Sequence, residues 1–240
     1  MKRLICTLLL GLAVVVSAAP RKRHLMIFVG ENNMESVRPE RTVLPVLKKD
    51  KELRKSELLW VREARRTMSM HDLDEGWRDS EGKAKKKLGP DYKVKKTKDY
   101  KRLLENAKQA ARKKECDTVI LYWMVGETDA QKGWGDQYEA SFKRFIKQFE
   151  EDLGLGKIHV VITRLSDYGI ENKKYPDWQK VRKAQEKLVK DNKGWVLVST
   201  DDYNGKTNKL QFDKKGLEAL GDTYAEIAMK FLGSSEAKKE

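Results

Sequence analysis

Cysteine is almost missing from this 240-residue chain, which has only Cys6 and Cys116. Cys6 lies inside an apolar run, Leu4–Val16, that follows Lys2 and Arg3 and ends in Val16-Ser17-Ala18. That layout is the one expected of a secretory signal peptide over residues 1–18, cleaved after Ala18. Because Cys6 sits within the run, a lipidated N-terminal cysteine is not expected. The run is also too short to serve as a transmembrane anchor. Cys116 would then be alone in the mature chain, which excludes an intramolecular disulfide. It precedes an apolar strand and reads as a small buried hydrophobe. Histidine is scarce as well: His24, His71 and His159 are far apart. With no His-x-x-x-His, no cysteine pair and no glycine-rich phosphate loop, nothing supports a zinc, nucleotide or other cofactor site.

Acidic charge is the minority sign. Lysine and arginine number 51 against 37 aspartates and glutamates, for a formal charge of +14. Such a surface favours anionic partners, such as acidic or sulfated polysaccharide or lipid headgroups, or is simply a lysine-rich exterior that keeps the protein in solution. No aromatic residues interleave the lysines as a nucleic-acid motif requires, so nucleic acid is not expected. The expected location is secreted or periplasmic. Oligomeric state is not legible.

The 39% hydrophobic content suffices for one full core, and residues 19–240 read as a single domain. Near-continuous apolar blocks at Leu25–Val29, Thr118–Trp123, Ile158–Ile162 and Trp195–Val198 predict strands buried on both faces. Leu58–Val61 is a candidate edge strand. Between them, Asp99–Lys114, Tyr138–Leu153, Trp178–Asp191 and Gly216–Leu232 carry helical patterns. In the second of these, Phe142, Phe145, Ile146 and Phe149 form one apolar stripe. The alternation predicts an α/β fold, a three-layer α/β/α sandwich with a parallel sheet of about four or five strands.

Four segments carry motifs. Met26-Ile27-Phe28-Val29-Gly30-Glu31-Asn32-Asn33-Met34 is an apolar strand entering a Gly-x-x-Asn-Met turn. Glu75-Gly76-Trp77 is followed by Leu88-Gly89-Pro90. Ile120-Leu121-Tyr122-Trp123-Met124-Val125-Gly126-Glu127-Thr128-Asp129-Ala130 comes third. Asn208-Lys209-Leu210-Gln211-Phe212 is followed by Gly216 and Leu220-Gly221. In this order they resemble the sialate O-acetylesterase-like carbohydrate esterases, a branch of the SGNH hydrolases. That family's wording is Gly-Gln-Ser-Asn-Met, Leu-Trp-x-Gln-Gly-Glu-Ser-Asp-Ala and Asp-x-x-His-Phe.

The resemblance implies an SGNH fold and places Asn32, Asn208 and Gln211 at the positions of nucleophilic serine, orienting aspartate and general-base histidine. An amide nitrogen is not a useful nucleophile, and glutamine cannot shuttle a proton near neutral pH. Gly30, Val125 and Gly126 fall at oxyanion-hole positions, with Val125 in place of the family's glutamine. A further family strand, ending in a Gly-Gly-Thr-like turn, is not evident between Gly89 and Asp99. The resemblance therefore implies a degenerate esterase, with an acidic or acetylated glycan as the candidate ligand; the alternative is a working hydrolase with a non-standard site.

Other residues could carry chemistry there. Glu31, Glu127 and Asp129 are expected at the carboxyl ends of adjacent strands, where open α/β sheets bind ligands. Each could contact sugar hydroxyls or act as an acid or base, while Glu127 also suits fixing the turn by accepting backbone amides. Asn33 is a pocket candidate beside Asn32. His71 lies in a polar loop and is the one histidine placed to substitute for a lost base. Trp134 follows the third motif and could stack on a sugar or anchor its loop. His24 and His159, on strands, read as packed or surface residues.

Overall fold

The computed structural model describes residues 21–77, 97–207 and 209–234. Residues 1–18, expected to be a signal peptide, the Leu88-Gly89-Pro90 element, most of the stretch from Gly89 to Asp99, and Asn208 lie outside the described residues.

Five parallel strands form one sheet in the order β2-β1-β3-β4-β5. They are β1 (Arg23–Gly30), β2 (Glu57–Ala64), β3 (Thr118–Met124), β4 (Ile158–Thr163) and β5 (Val196–Val198). The apolar blocks become strands because every second side chain enters a different core. Leu25, Ile27 and Val29 of β1, with Val119, Leu121 and Trp123 of β3, face one cluster. Met26 and Phe28, with Ile120, Tyr122 and Met124, face the other. Continuous hydrophobicity is thus what a doubly covered strand needs.

Helices cover both faces. Over the first cluster lie α4 (Lys98–Ala110), α6 (Gly135–Leu153) and α7 (Trp178–Asp191). Over the second lie the short α1 (Asn32–Ser36) and α2 (Val43–Leu47), and α8 (Lys214–Leu232). The aromatic stripe of α6 packs as its spacing predicts: Phe142 and Phe145 lie 4.9 Å, centroid to centroid, from Trp123. Two short helices, α3 (Met70–Leu73) and α5 (Glu127–Gln131), stand at the carboxyl end of the sheet.

The edge strand β2 is longer than the Leu58–Val61 block. Its outer side is half exposed and its far end carries Arg62 and Glu63, so apolarity marks only part of it. Cys116 is half-buried rather than buried, and burial raises its thiol pKa.

Candidate functional site

The sheet order leaves one crevice by construction. The chain runs from β1 outward to β2, then crosses back to β3 on β1's other side. Connections leaving β1 and β3 therefore diverge at their carboxyl ends, which is where open α/β sheets bind ligands. Gly30 ends β1 opposite Met124, the last residue of β3. A Cβ on Gly30 would lie 2.5 Å from the Met34 Cβ and 2.7 Å from the Met124 carbonyl oxygen, so the turn into α1 needs glycine. Gly126 needs it for another reason: its φ is 144°, and a Cβ there would lie 2.8 Å from Val181.

Three buried carboxylates gather in this crevice. Glu31, wholly buried, accepts hydrogen bonds from the Gly126 amide (2.9 Å), the Thr128 amide (3.1 Å) and the Thr128 hydroxyl. Burial, with Glu127 beside it, holds its pKa well above the usual carboxylate range. Asp129, also wholly buried, accepts the Met70 amide at 3.1 Å on both oxygens, and burial pushes its pKa up to about 7. Glu127 accepts from the side-chain amide of Asn32 at 2.6 Å and more distantly from Asn33 at 3.4 Å. Burial pushes Glu127 up to about 7 as well. Glu31 and Asp129 thus tie the two strand ends and α3 together, and Glu127 is the carboxylate that reaches the Asn32 position.

The oxyanion-position residues are engaged otherwise. The Gly126 amide is taken by Glu31, and Gly30 lies in the sheet ladder. Val125 is wholly buried in the first core cluster. Its carbonyl accepts from the Tyr138 hydroxyl and from Gln185 at 3.2 Å.

The loop before α8 is pinned to the same turn. Asn33 donates to the Leu210 carbonyl at 3.0 Å and accepts from the Phe212 amide at 2.8 Å. Gln211, between those two anchors, is exposed. Asn208 lies outside the described residues.

His71 and Trp134 form an aromatic cluster with Trp77 on the α3 side of the crevice. Ring centroids lie 4.8 Å apart for His71 and Trp77, 5.3 Å for His71 and Trp134, and 5.0 Å for the two tryptophans. Asp72, 3.7 Å from His71, raises the imidazole pKa. The other histidines are remote from the crevice. His24 is buried at the amino end of β1, where burial lowers its pKa, and His159 stacks on Phe231 at 4.4 Å.

Two contributors were not assigned a role from sequence. Thr128 was visible only as a motif letter, yet its amide and hydroxyl both serve Glu31. Asp177 accepts the Gly135 amide at 2.9 Å and pairs with Lys180 at 3.2 Å, fixing the loop after Trp134. Among the described residues no cluster of histidine, cysteine and carboxylate side chains could hold a metal ion, and no helix is long and apolar enough to cross a membrane.

A parallel five-stranded sheet with helices on both faces and a crevice between β1 and β3 defines an α/β protein of the SGNH-hydrolase type. Residues 82–230 match the family described as carbohydrate esterase, sialic acid-specific acetylesterase, and the chain belongs to that family. The match begins after β1 and so does not include the Asn32 turn. Among solved structures, a protein from Arabidopsis thaliana is similar at 16% identity with a TM-score of 0.61, covering 88% of this chain and 100% of the other. A carbohydrate acetylesterase from Xanthomonas citri is similar at 16% identity and a TM-score of 0.54, covering 86% of this chain and 56% of that one. A carbohydrate esterase family 3 protein from Talaromyces cellulolyticus gives 9% identity and a TM-score of 0.53, covering 88% and 98%. A search of curated proteins returned no significant match.

Proposed function

We propose that this protein is an exported, non-catalytic member of the carbohydrate acetylesterase family that binds acidic or acetylated glycans in the crevice between β1 and β3. The observation that carries this reading is Asn32. At the turn where the family's wording has serine, its amide nitrogen donates to Glu127 at 2.6 Å, leaving neither a hydroxyl to attack an acyl carbon nor a lone pair to do so. Gln211 supports it, since an amide cannot take and return the proton that acyl transfer needs. The amide of Gly126, bound to Glu31, is not free to stabilise an oxyanion. Loss of a serine triad costs roughly a million-fold in rate, and the residual catalysis of triad-less enzymes rests on the oxyanion hole and binding. For ligand binding, the crevice offers the exposed edge of the His71–Trp77–Trp134 cluster as a face for a sugar ring.

A second reading has one observation in its favour: the carboxyls of Glu127 and Asp129 both sit at about 7, a range useful for acid–base work. Against it, both are buried, with Glu127 held by the Asn32 amide and Asp129 by the Met70 amide. The discriminating experiment measures turnover of an aryl acetate and of O-acetylated sialic acid by the purified protein. The expected result is a rate equal to that of buffer. Turnover abolished by Glu127→Gln or His71→Ala would refute the non-catalytic reading and establish the second one.

A further inference from the structure

Among the described residues, exposed lysine and arginine precede every strand at the end of the sheet opposite the crevice, and we propose that this face docks on sulfated polysaccharide. In a parallel sheet all strands start at one end, so whatever precedes each strand is brought together there. Here every preceding segment is basic: Arg21 and Lys22 before β1, Arg54 and Lys55 before β2, Arg112–Lys114 before β3, Lys157 before β4, Lys193 before β5. All of these side chains are exposed. Five strands about 4.8 Å apart spread them over roughly 20 Å, a span suited to several charged sugars of one chain.

Hydrogen bonds lock three of these segments in register. The Glu57 amide donates to the Lys22 carbonyl at 2.8 Å. The Arg23 guanidinium bonds to the carbonyls of Glu115 (2.7 Å) and Ala111 (2.8 Å) and pairs with Glu57 at 2.7 Å. Between β1 and β2 lies a concavity of about 600 Å³, lined by Arg21, Lys48, Arg54 and Glu57 among others. Its one carboxylate, Glu57, is already engaged by Arg23 and, at 3.2 Å, by Arg112. Of the other acids at this end, Asp50 caps the amides of Glu52 and Leu53, Glu52 pairs with Lys55 at 3.2 Å, Glu105 lies 3.9 Å from Lys113, Asp117 accepts the Arg23 amide, Glu150 accepts the Ile158 amide at 2.9 Å, and Asp191 pairs with Lys187 at 2.7 Å. Glu115 stays exposed beside Lys114. Arg21, Lys48 and Arg54 have no ion-pair partner among the described residues, and the concavity carries net positive charge.

The backbone supplies a second, independent sign. Arg112 and Lys113 are the only non-glycine residues with positive φ among the described residues, at 53° and 54°. They follow the end of α4, a place where glycine ordinarily takes the left-handed conformation. Two consecutive cations there cost stability that glycine would not, and both side chains stand about 70% exposed. Among the described residues the one large exposed apolar side chain, Ile170, follows β4, at the crevice end. Among the described residues the basic face therefore has no wedge for a bilayer and no exposed aromatic for stacking bases, and a polyanion read through charge alone fits it. The two ends can be occupied together, because this proposal does not depend on what the crevice does.

The test uses the full mature chain and binding to dextran sulfate as a function of salt, with anionic vesicles and duplex DNA as comparison arms. The variant Lys48→Gln/Arg54→Gln/Arg112→Gly/Lys113→Gly removes four cations, the last two with residues that suit the backbone. A control, Lys98→Gln/Lys101→Gln/Lys183→Gln/Lys214→Gln, removes four exposed cations borne on helices. The expected result is salt-sensitive binding by the wild type, weakened about 100-fold in the variant with the salt slope reduced by about 3, and much less in the control. Each pair of substitutions alone should give an intermediate loss, so a misfolded quadruple variant leaves the proposal testable. Equal loss in variant and control, no wild-type binding at about 0.1 M salt, or tighter binding to vesicles or DNA than to dextran sulfate would each overturn it.

Discussion

Glu127→Gln is expected to leave the fold intact and to remove a pH-dependent loss of stability. Glu127 is 5% exposed, and burial moves its carboxyl from 4.5 to about 7. The native state therefore keeps a proton that the unfolded chain releases from about pH 4.5 upward. Between pH 4.5 and about 7 the unfolded state binds fewer protons, so stability falls as pH rises; below that window the carboxyl has no effect. At about 1.4 kcal/mol per pH unit, the full loss by pH 8 is about 3 kcal/mol. Glutamine can replace the carboxyl with little rearrangement. Its oxygen can face Asn33, whose amide is fixed by Leu210 and Phe212 and cannot turn. Its NH2 then faces Asn32, held otherwise only by a 3.4 Å contact to the Arg66 carbonyl and free to present its oxygen. The variant should gain up to about 3 kcal/mol over wild type at pH 8 and differ by less than about 1 kcal/mol at pH 4. Urea unfolding followed by tryptophan fluorescence at pH 4, 6 and 8 measures both. A difference from wild type that stays constant with pH would refute the argument. So would a variant that loses stability at pH 8, because the two asparagines would then require the anion.

Asn33→Ala should cost about 2–3 kcal/mol by breaking the bonds that hold Leu210 and Phe212, and limited proteolysis should then cut first within residues 201–213. Gly126→Ala should lower the thermal midpoint by the equivalent of about 2–4 kcal/mol, since it adds both a clash with Val181 and a strained φ; a variant as stable as wild type would contradict the turn geometry. Trp134→Ala should abolish ligand-induced tryptophan quenching by acidic glycans while leaving the urea midpoint nearly unchanged, whereas a large drop in midpoint with quenching intact would make Trp134 a loop anchor only.

What the sequence revealed of the fold follows from burial. Strands covered on both faces must be apolar at every position, so the central strands stood out within a residue or two of their ends, and α7 matched its predicted bounds, Trp178–Asp191. β2 showed only its apolar part because its far end carries Arg62, half-buried, and Glu63, buried but paired with Arg102 at 2.6 Å. The short helices α1, α2, α3 and α5 had no legible period, since four or five residues make little more than one turn and their neighbours, not their own pattern, hold them. At the site, the motif positions located the turn, but contacts such as Thr128 to Glu31 join residues nearly a hundred positions apart. No local spacing announces a bond of that kind.

The crevice separates the groups that build it from the group that would do chemistry in it. Glu31, Asp129, Gly30, Gly126 and Asn33 set the turn through bonds to backbone amides and carbonyls and through close backbone approach. None of those bonds involves the side chain of residue 32. A change there leaves those bonds in place and loses only the 2.6 Å bond from Asn32 to Glu127. A fold held in this way can keep its family's shape whatever side chain stands at position 32, so family membership and catalysis have to be tested separately. The same parallel topology that gathers these carboxylates at one end of the sheet gathers the lysines and arginines at the other. If the crevice proves inert, the basic end still has its own physical reason to be there.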